Sequence, residues 1–129
     1  MTKTLRPDRF SSLGHLRGAI RRFPSKARDG ATHRVLVRGL RDRNVDVSDY
    51  AAAIIEDLGG AARPMIVALV QALRRRPRYA VGEALAGVGV PAIPALGRLV
   101  ADSDRRVRRI AAWALGSPGL VRDLQGYAA

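Results

Sequence analysis

Cysteine is absent from this chain of 129 residues. Disulfides, thiolate metal sites and cysteine nucleophiles are therefore excluded, and the redox compartment is left open. Lysine is nearly absent as well, occurring only at Lys3 and Lys26, so arginine carries almost all of the positive charge. Aromatic residues are few, with one Trp, three Tyr and two Phe, and none is interleaved with the arginine clusters. That argues against reading single-stranded bases by stacking. No run is long and apolar enough to span a membrane. The longest charge-free stretch worth testing, residues 84–97, is broken repeatedly by Gly and Pro. The opening stretch MTKTLRPDRFSSLG lacks the apolar centre of a secretory signal, and Asp8 counts against a transit peptide, so the expected location is cytoplasmic.

Catalytic constellations are missing too. His15 and His33 fall in different helical patterns with no carboxylate or Cys companion, which marks them as surface or packing residues. Glu56 and Asp57 are adjacent, so they point to different helix faces and make no acid–base pair. The glycines of GVGVP follow no strand and precede no Lys, so they are no phosphate loop. The expectation is a non-enzyme with no cofactor and no metal.

What is present is charge and repetition. A hydrophobic content of 47% with 26% charged residues is the balance of a folded domain, and the length suits one domain over residues 1–129. The formal net charge is +12, from 23 basic against 11 acidic residues. A GC-rich coding bias accounts for Arg over Lys, but not for that excess, which favours an acidic partner.

An internal repeat organises the chain. YAAAIIEDLGGAARPMIVALV (50–70) aligns without gaps on AVGEALAGVGVPAIPALGRLV (80–100), an offset of 30 residues. Ile55 falls on Leu85, Gly59 on Gly89, Pro64 on Pro94, Leu69 on Leu99. A further step places Leu115 on Leu85 and Ala114 on Ala84. Each unit holds two apolar patterns of helical period. The first spans about 48–58, 78–88 and 107–116, and the second about 31–42, 61–74 and 91–101. Gly59-Gly60 and 87–89 mark the breaks between them. Pro64 and Pro94 are tolerated only if they sit in a first helical turn, where the amide has no intrahelical acceptor. A pair of short helices cannot bury its apolar face alone, whereas stacked pairs build a continuous core. The predicted architecture is all-α, a short α-solenoid of three to four helical hairpins. It comprises an irregular first unit (10–43), two clear units (44–74 and 75–101) and a degenerate last one (102–129). The first unit's helix, SSLGHLRGAIRRF, reaches its partner through the linker PSKARDG.

The segments VADSDRRVRRIAAWALG and RPRYAVGEALAGVGVPAIPALGRLV resemble short bacterial HEAT-like repeats, of the kind also found in phycobilisome lyases. The shared pattern is an acidic turn, Val-Arg, an Ala-rich helix ending Ala-Leu-Gly, then a helix carrying Ile-Pro-x-Leu. The resemblance covers roughly residues 45–116 well and the N-terminal third weakly. It implies an armadillo-type fold, a right-handed superhelix with the second helices on the concave face. It carries no lyase chemistry over, since no catalytic residue can be mapped, and leaves a role as accessory component of an enzyme as a third class.

The register sorts the arginines. Arg78 and Arg108 hold the Val-Arg position, where the resemblance implies pairing with turn carboxylates, Asp102 and Asp104 being the candidates. The remaining clusters fall at the junctions of successive units: Arg41 and Arg43, then Arg74, Arg75 and Arg76, then Arg105, Arg106 and Arg109. With stacked helices ~8–10 Å apart, they are expected to form a basic ridge. Arg38 and Arg98 share a register on the second helices, with Arg34 one turn before Arg38. These eleven arginines are the candidate site for an anionic partner, since Arg suits bidentate carboxylate and phosphate contacts. The leading expectation is a non-catalytic scaffold that binds an acidic protein or peptide. The alternative is sequence-nonspecific DNA or RNA binding through phosphates. Trp113 shares its register with Glu83 and Ala53, so it is half-exposed at least; it could anchor a partner, a dimer contact or the C-terminal segment, and packing under LVRDLQGYAA is favoured. Tyr50 is expected in the core and Tyr79 on the surface. A ragged C-terminal end would also leave apolar surface for a homodimer.

Overall fold

The structure is a computed structural model that describes residues 8–128. Residues 1–7, including Lys3 and half of the opening stretch tested above for a targeting signal, and residue 129 lie outside it. Eight α-helices and no strand occur among the described residues. They are α1 (Arg9–Arg22), α2 (Gly30–Leu40), α3 (Val45–Leu58), α4 (Ile66–Arg75), α5 (Tyr79–Val88), α6 (Ile93–Leu99), α7 (Arg105–Leu115) and α8 (Pro118–Ala128). The odd-numbered helices pack side by side in chain order, with α3 against α5 as the most intimate pair, and the even-numbered helices lie over them. The even-numbered helices touch one another much less. The result is the all-α repeat solenoid that the 30-residue offset predicts.

The repeat is visible in what is buried. Ile55 and Leu85 are fully inaccessible and Leu115 packs against the core; Ile54, Ala84 and Ala114 form a second equivalent row, and Ala51, Val81 and Ala111 a third. The even-numbered helices contribute Leu69, Leu73, Leu96 and Leu99. Ala-rich inner faces let the odd-numbered helices approach closely. Gly82 shows how closely: a Cβ built on it would lie 2.5 Å from Cγ2 of Ile110 on α7. At the hairpin bends Gly59 and Gly89 adopt φ of +56° and +90°, a backbone region that side chains with a Cβ avoid.

The prolines behave differently from the periodicity. Pro64 lies within a 3₁₀ segment, Gly59–Met65, that precedes α4, and Pro94 opens α6. The second helices of the two clear units therefore begin later than the apolar pattern suggests, at Ile66 and Ile93. A ring without an amide hydrogen fits the tight entry turn, and the apolar residues of that turn, Ala62 and Met65, still reach the core. PSKARDG is likewise a short 3₁₀ turn at Pro24–Arg28, and Asp29 then caps α2 by accepting from the amide of Ala31 at 3.2 Å. The C-terminal stretch, expected as a poor copy, forms a helix that buries Leu120 and leaves Val121 and Leu124 exposed.

Gly82→Ala is expected to destabilise the protein by about 1–3 kcal/mol, the range for overpacking a filled core. The measurement is a lowered urea midpoint at unchanged slope. Gly97→Ala, where an added Cβ meets nothing within 4 Å, is the matched control and should be neutral or mildly stabilising.

Candidate functional site

Hairpin stacking gathers the N-termini of α3, α5 and α7 at the same junctions as the C-termini of α2, α4 and α6. Arginines occupy the last turns there, with Arg38 on α2, Arg74 and Arg75 on α4, and Arg98 on α6. Cations at a helix C-terminus are stabilised by unsatisfied carbonyls and the macrodipole, typically by 0.3–1 kcal/mol. Part of the arginine edge therefore follows from helix chemistry alone.

Two of the three junctions share one device. In the turn 42–44 the Asp42 carboxylate accepts from the amide of Asn44 (2.9 Å) and pairs with Arg9 (3.0 Å), and its carbonyl accepts from Arg76 (2.7 Å). Asn44 then caps α3, taking the amide of Asp46 at 2.9 Å. In the turn 102–104 the Asp102 carboxylate accepts from the amide of Asp104 (3.0 Å) and pairs with Arg74 (3.0 Å), and its carbonyl accepts from Arg108 (2.8 Å). Asp104 caps α7, taking the amide of Arg106 at 2.8 Å and pairing with its side chain at 3.2 Å. Those contacts hold the Asp104 carboxyl below the usual range, the Arg106 guanidinium contributing most. The middle junction, RRRP, carries no such acid, and α5 starts at Tyr79 with no side-chain cap from Arg78. A D-x-[ND] turn recurring 60 residues apart was the available sequence signal for this device.

The Val-Arg positions are built differently from what the resemblance implies. Arg108 binds the carbonyls of Asp102 and Ser103 (2.8 and 3.1 Å) rather than a turn carboxylate. Arg78 makes a bidentate pair with Asp49 on α3, at 2.7 and 2.6 Å, reaching back across the helix layer rather than to a turn. The turn carboxylates are already taken, Asp102 by Arg74 and Asp104 by Arg106.

Among the candidate arginines, then, Arg74, Arg76 and Arg106 have internal partners. Arg41, Arg43, Arg75 and Arg98 are exposed and make no ion pair or side-chain hydrogen bond among the described residues. Three depressions join here. One of about 780 Å³ is lined by Arg41, Arg74 and Arg75 together with Gln71, Asp102 and Asp104. A narrower one of about 260 Å³ is lined by Arg41, Arg43, Arg75 and Arg76 and reaches buried Ser48 in the first turn of α3. A third of about 460 Å³ shares Arg74 with the first and adds Arg98. Arg41 and Arg75 thus stand on the wall common to the first two. Arg38 faces a separate depression beside Arg9, and Arg34, Arg105, Arg106 and Arg109 line none of the three. Exposed Val35 and Val67 lie on the same helices as Arg38 and Arg74.

The aromatic residues are where expectation and structure part. Trp113 is not buried. It stays 44% exposed and meets Tyr79, also 44% exposed, edge-on at 5.2 Å between ring centroids. The reason is rotational: Val107, Ile110, Ala111 and Ala114 turn the other side of α7 to the core. Tyr50 is half-buried, stacked on Phe10 at 6.3 Å with the Arg17 guanidinium 5.9 Å above its ring. Arg17 also pairs with Asp57 at 2.7 Å. His33 has a structural partner, donating from Nε2 to the carbonyl of Ala27 at 2.6 Å.

This edge presents guanidinium groups and paired carboxylates. No cluster of three or more His, Cys, Asp or Glu side chains fit to hold a metal occurs among the described residues, and none of the described helices is long and apolar enough to cross a membrane. Residues 64–126, from the entry turn of α4 into α8, match the family model of HEAT repeats. No curated protein and no solved structure matches the chain.

Glu56, on α3 across from Gly87 of α5, has its carboxyl raised above the ordinary value by burial first, then by the charges of Glu83 and Asp57. A raised carboxyl means that the ionised form costs folding free energy. The cost is absent below the ordinary Glu pKa of about 4.3, grows as pH rises through the raised value, and is complete above it. Glu56→Gln is therefore expected to raise Tm at pH 7 and to leave it unchanged at about pH 3, as read by circular-dichroism melts at both values.

Proposed function

The chain is a HEAT-like repeat protein, and from that premise we propose that it is a non-catalytic scaffold holding an acidic protein segment along the edge where its helical hairpins join. The observation that carries this is the position of Arg41 and Arg75. They share the wall of two connected depressions, and no carboxylate among the described residues engages either. A solenoid suits the task because its extended surface is decoupled from the core that stabilises it. Arg43 and Arg98 extend the charged track at either end, while Arg74 and Arg76 hold the turns that shape it. Arg38 and Arg34 on α2 lie beside the track and would meet a longer ligand.

The family match supports a protein partner over nucleic acid, because HEAT repeats suggest a protein-interaction role. Exposed Val35 and Val67 lie on the same helices as Arg38 and Arg74 and would suit a longer ligand that carries apolar as well as carboxylate side chains. The net charge of +12 is the one feature that speaks for phosphate binding, and the test below includes it.

Binding of fluorescent polyglutamate and of a short DNA duplex should be compared by anisotropy at matched salt. Polyglutamate is expected to bind more tightly, and Arg41→Glu with Arg75→Glu should weaken it by at least about tenfold, or 1.4 kcal/mol. Tighter duplex binding with a steep loss on adding salt would assign the edge to nucleic acid. Binding of neither probe would remove the proposal.

A further inference from the structure

Ser48 interrupts a row of arginines. The 30-residue register sets it level with Arg78 and Arg108. Arg108 folds back on its own turn and donates to the carbonyls of Asp102 and Ser103, six and five residues earlier, at 2.8 and 3.1 Å. The carbonyls six and five residues before Ser48 are those of Asp42 and Arg43, and a serine is too short to reach them. Arg76 reaches them from the next unit instead, at 2.7 and 3.2 Å. The turn is thus completed without a long side chain at position 48, and the depression of about 260 Å³ reaches Ser48 where the other units carry an arginine stem. We propose that this depression is a subsite for the phosphoryl group of a phosphorylated serine or threonine in the partner protein. The inference rests on the reading of the edge as a surface for an acidic protein segment, and it names the side chain that this segment seats above Ser48.

The charge around the depression calls for more than one carboxylate. Arg41, Arg43, Arg75 and Arg76 all line it. The first three engage no carboxylate among the described residues, and Arg76 binds only neutral carbonyls. Asp42, the one carboxylate among the lining residues, is 7% exposed and already committed to Arg9 and to the amide of Asn44. A phosphomonoester carries a charge of about −1.5 to −2 at neutral pH and three strong acceptor oxygens, against one charge and two oxygens for Asp or Glu.

The floor and the shape point the same way. Ser48 is 2% exposed, lines the depression, and makes no side-chain hydrogen bond among the described residues. A buried hydroxyl gains from a partner. A tetrahedral phosphoryl group can turn one oxygen inward to accept from that hydroxyl while its others face the guanidinium walls. A planar carboxylate in a bidentate pair with one arginine directs both oxygens to the same wall. Buried Leu40, Ala72 and Val81 close the apolar side of the depression, and with less water inside, each charge interaction is stronger. The depression is also more enclosed than the two that adjoin it. It therefore suits a group at the end of a side chain. The diester backbone of a nucleic acid carries a substituent on both sides of every phosphorus and would have to run past.

Anisotropy with a fluorescent, glutamate-rich peptide carrying one central phosphoserine tests this, with the same peptide bearing Glu or Ser at that position for comparison. The phosphoserine peptide is expected to bind at least about tenfold more tightly than the Glu form. Ser48→Ala removes the floor donor and should cut that preference at least about threefold. Ser48→Arg gives position 48 the residue of the other units and fills the depression. It adds a positive charge, so long-range attraction alone predicts tighter binding. The subsite predicts the reverse: the phosphoserine peptide weakened at least about tenfold and its preference over the Glu form lost. Melting curves establish that each variant is folded, and Ser48→Ala, which deletes a single oxygen, decides the matter if Ser48→Arg melts early. Equal binding of the phosphoserine and Glu peptides overturns the inference. So does an undiminished preference in Ser48→Ala, or a folded Ser48→Arg that holds the phosphoserine peptide as tightly as wild type. A 5′-phosphorylated oligonucleotide that binds more tightly than the phosphoserine peptide, and is released by Ser48→Arg, would give the depression to a nucleic-acid end and equally defeats it. Polyglutamate separates this inference from the reading beneath it. Polyglutamate binding that Arg41→Glu with Arg75→Glu weakens, without any preference for phosphoserine, ends the subsite and leaves the scaffold reading standing, whereas binding of no acidic peptide at all ends both.

Discussion

The close approach of α3, α5 and α7 is the constraint on which the other features depend. It is set by small side chains: Ala51, Ala52, Ala84, Ala111 and Ala114 are all inaccessible, and Gly82 sits so near Ile110 that no Cβ would fit without a shift. Helices brought this near must keep a common register, because ridges of one fit grooves of the next. The constant offset of 30 residues follows. So does the alignment of like positions across units, which places charges, caps and rings in rows rather than scattering them.

Those rows explain why so many arginines can gather without destabilising the fold. At the ends of α2, α4 and α6 they face helix C-termini, a favourable place for cations. At the turns they satisfy carbonyl oxygens that have no helical partner: Arg76 serves the turn at Asp42 and Arg43, and Arg108 the turn at Asp102 and Ser103. Arg78 ties α5 to α3 through Asp49. Of the guanidinium groups left over, Arg41, Arg43 and Arg75 line two adjoining depressions, while Arg34, Arg105 and Arg109 lie outside them. A track made of such leftovers is shaped by the turns beneath it, and its geometry is as rigid as they are.

The same parallel stacking gives the opposite face a different character. Burial and the neighbouring charges of Glu83 and Asp57 raise the Glu56 carboxyl there, and Tyr79 of α5 meets Trp113 of α7.

The hairpin repeat, the apolar rows, the glycine bends and the absence of strands could all be read from the chain alone. They depend on short-range period and on residue types recurring at a fixed interval, and both survive in one dimension. The late start of α4 and α6 could not, because a 3₁₀ turn buries nearly the same residues as a helix and leaves the apolar pattern intact. Nor could the fate of individual arginines. Arg74, Arg75 and Arg76 are neighbours of one type, yet Arg74 meets Asp102, Arg76 meets the carbonyls of an earlier turn, and Arg75 meets neither. Partners 28 to 34 residues away distinguish them, and composition carries no trace of that. The meeting of Tyr79 with Trp113 is of the same kind. Sequence determined which positions lie on which face, because helical period encodes direction; only the tertiary structure decided which of those side chains touch, because contact depends on how far and at what angle one helix stands from the next.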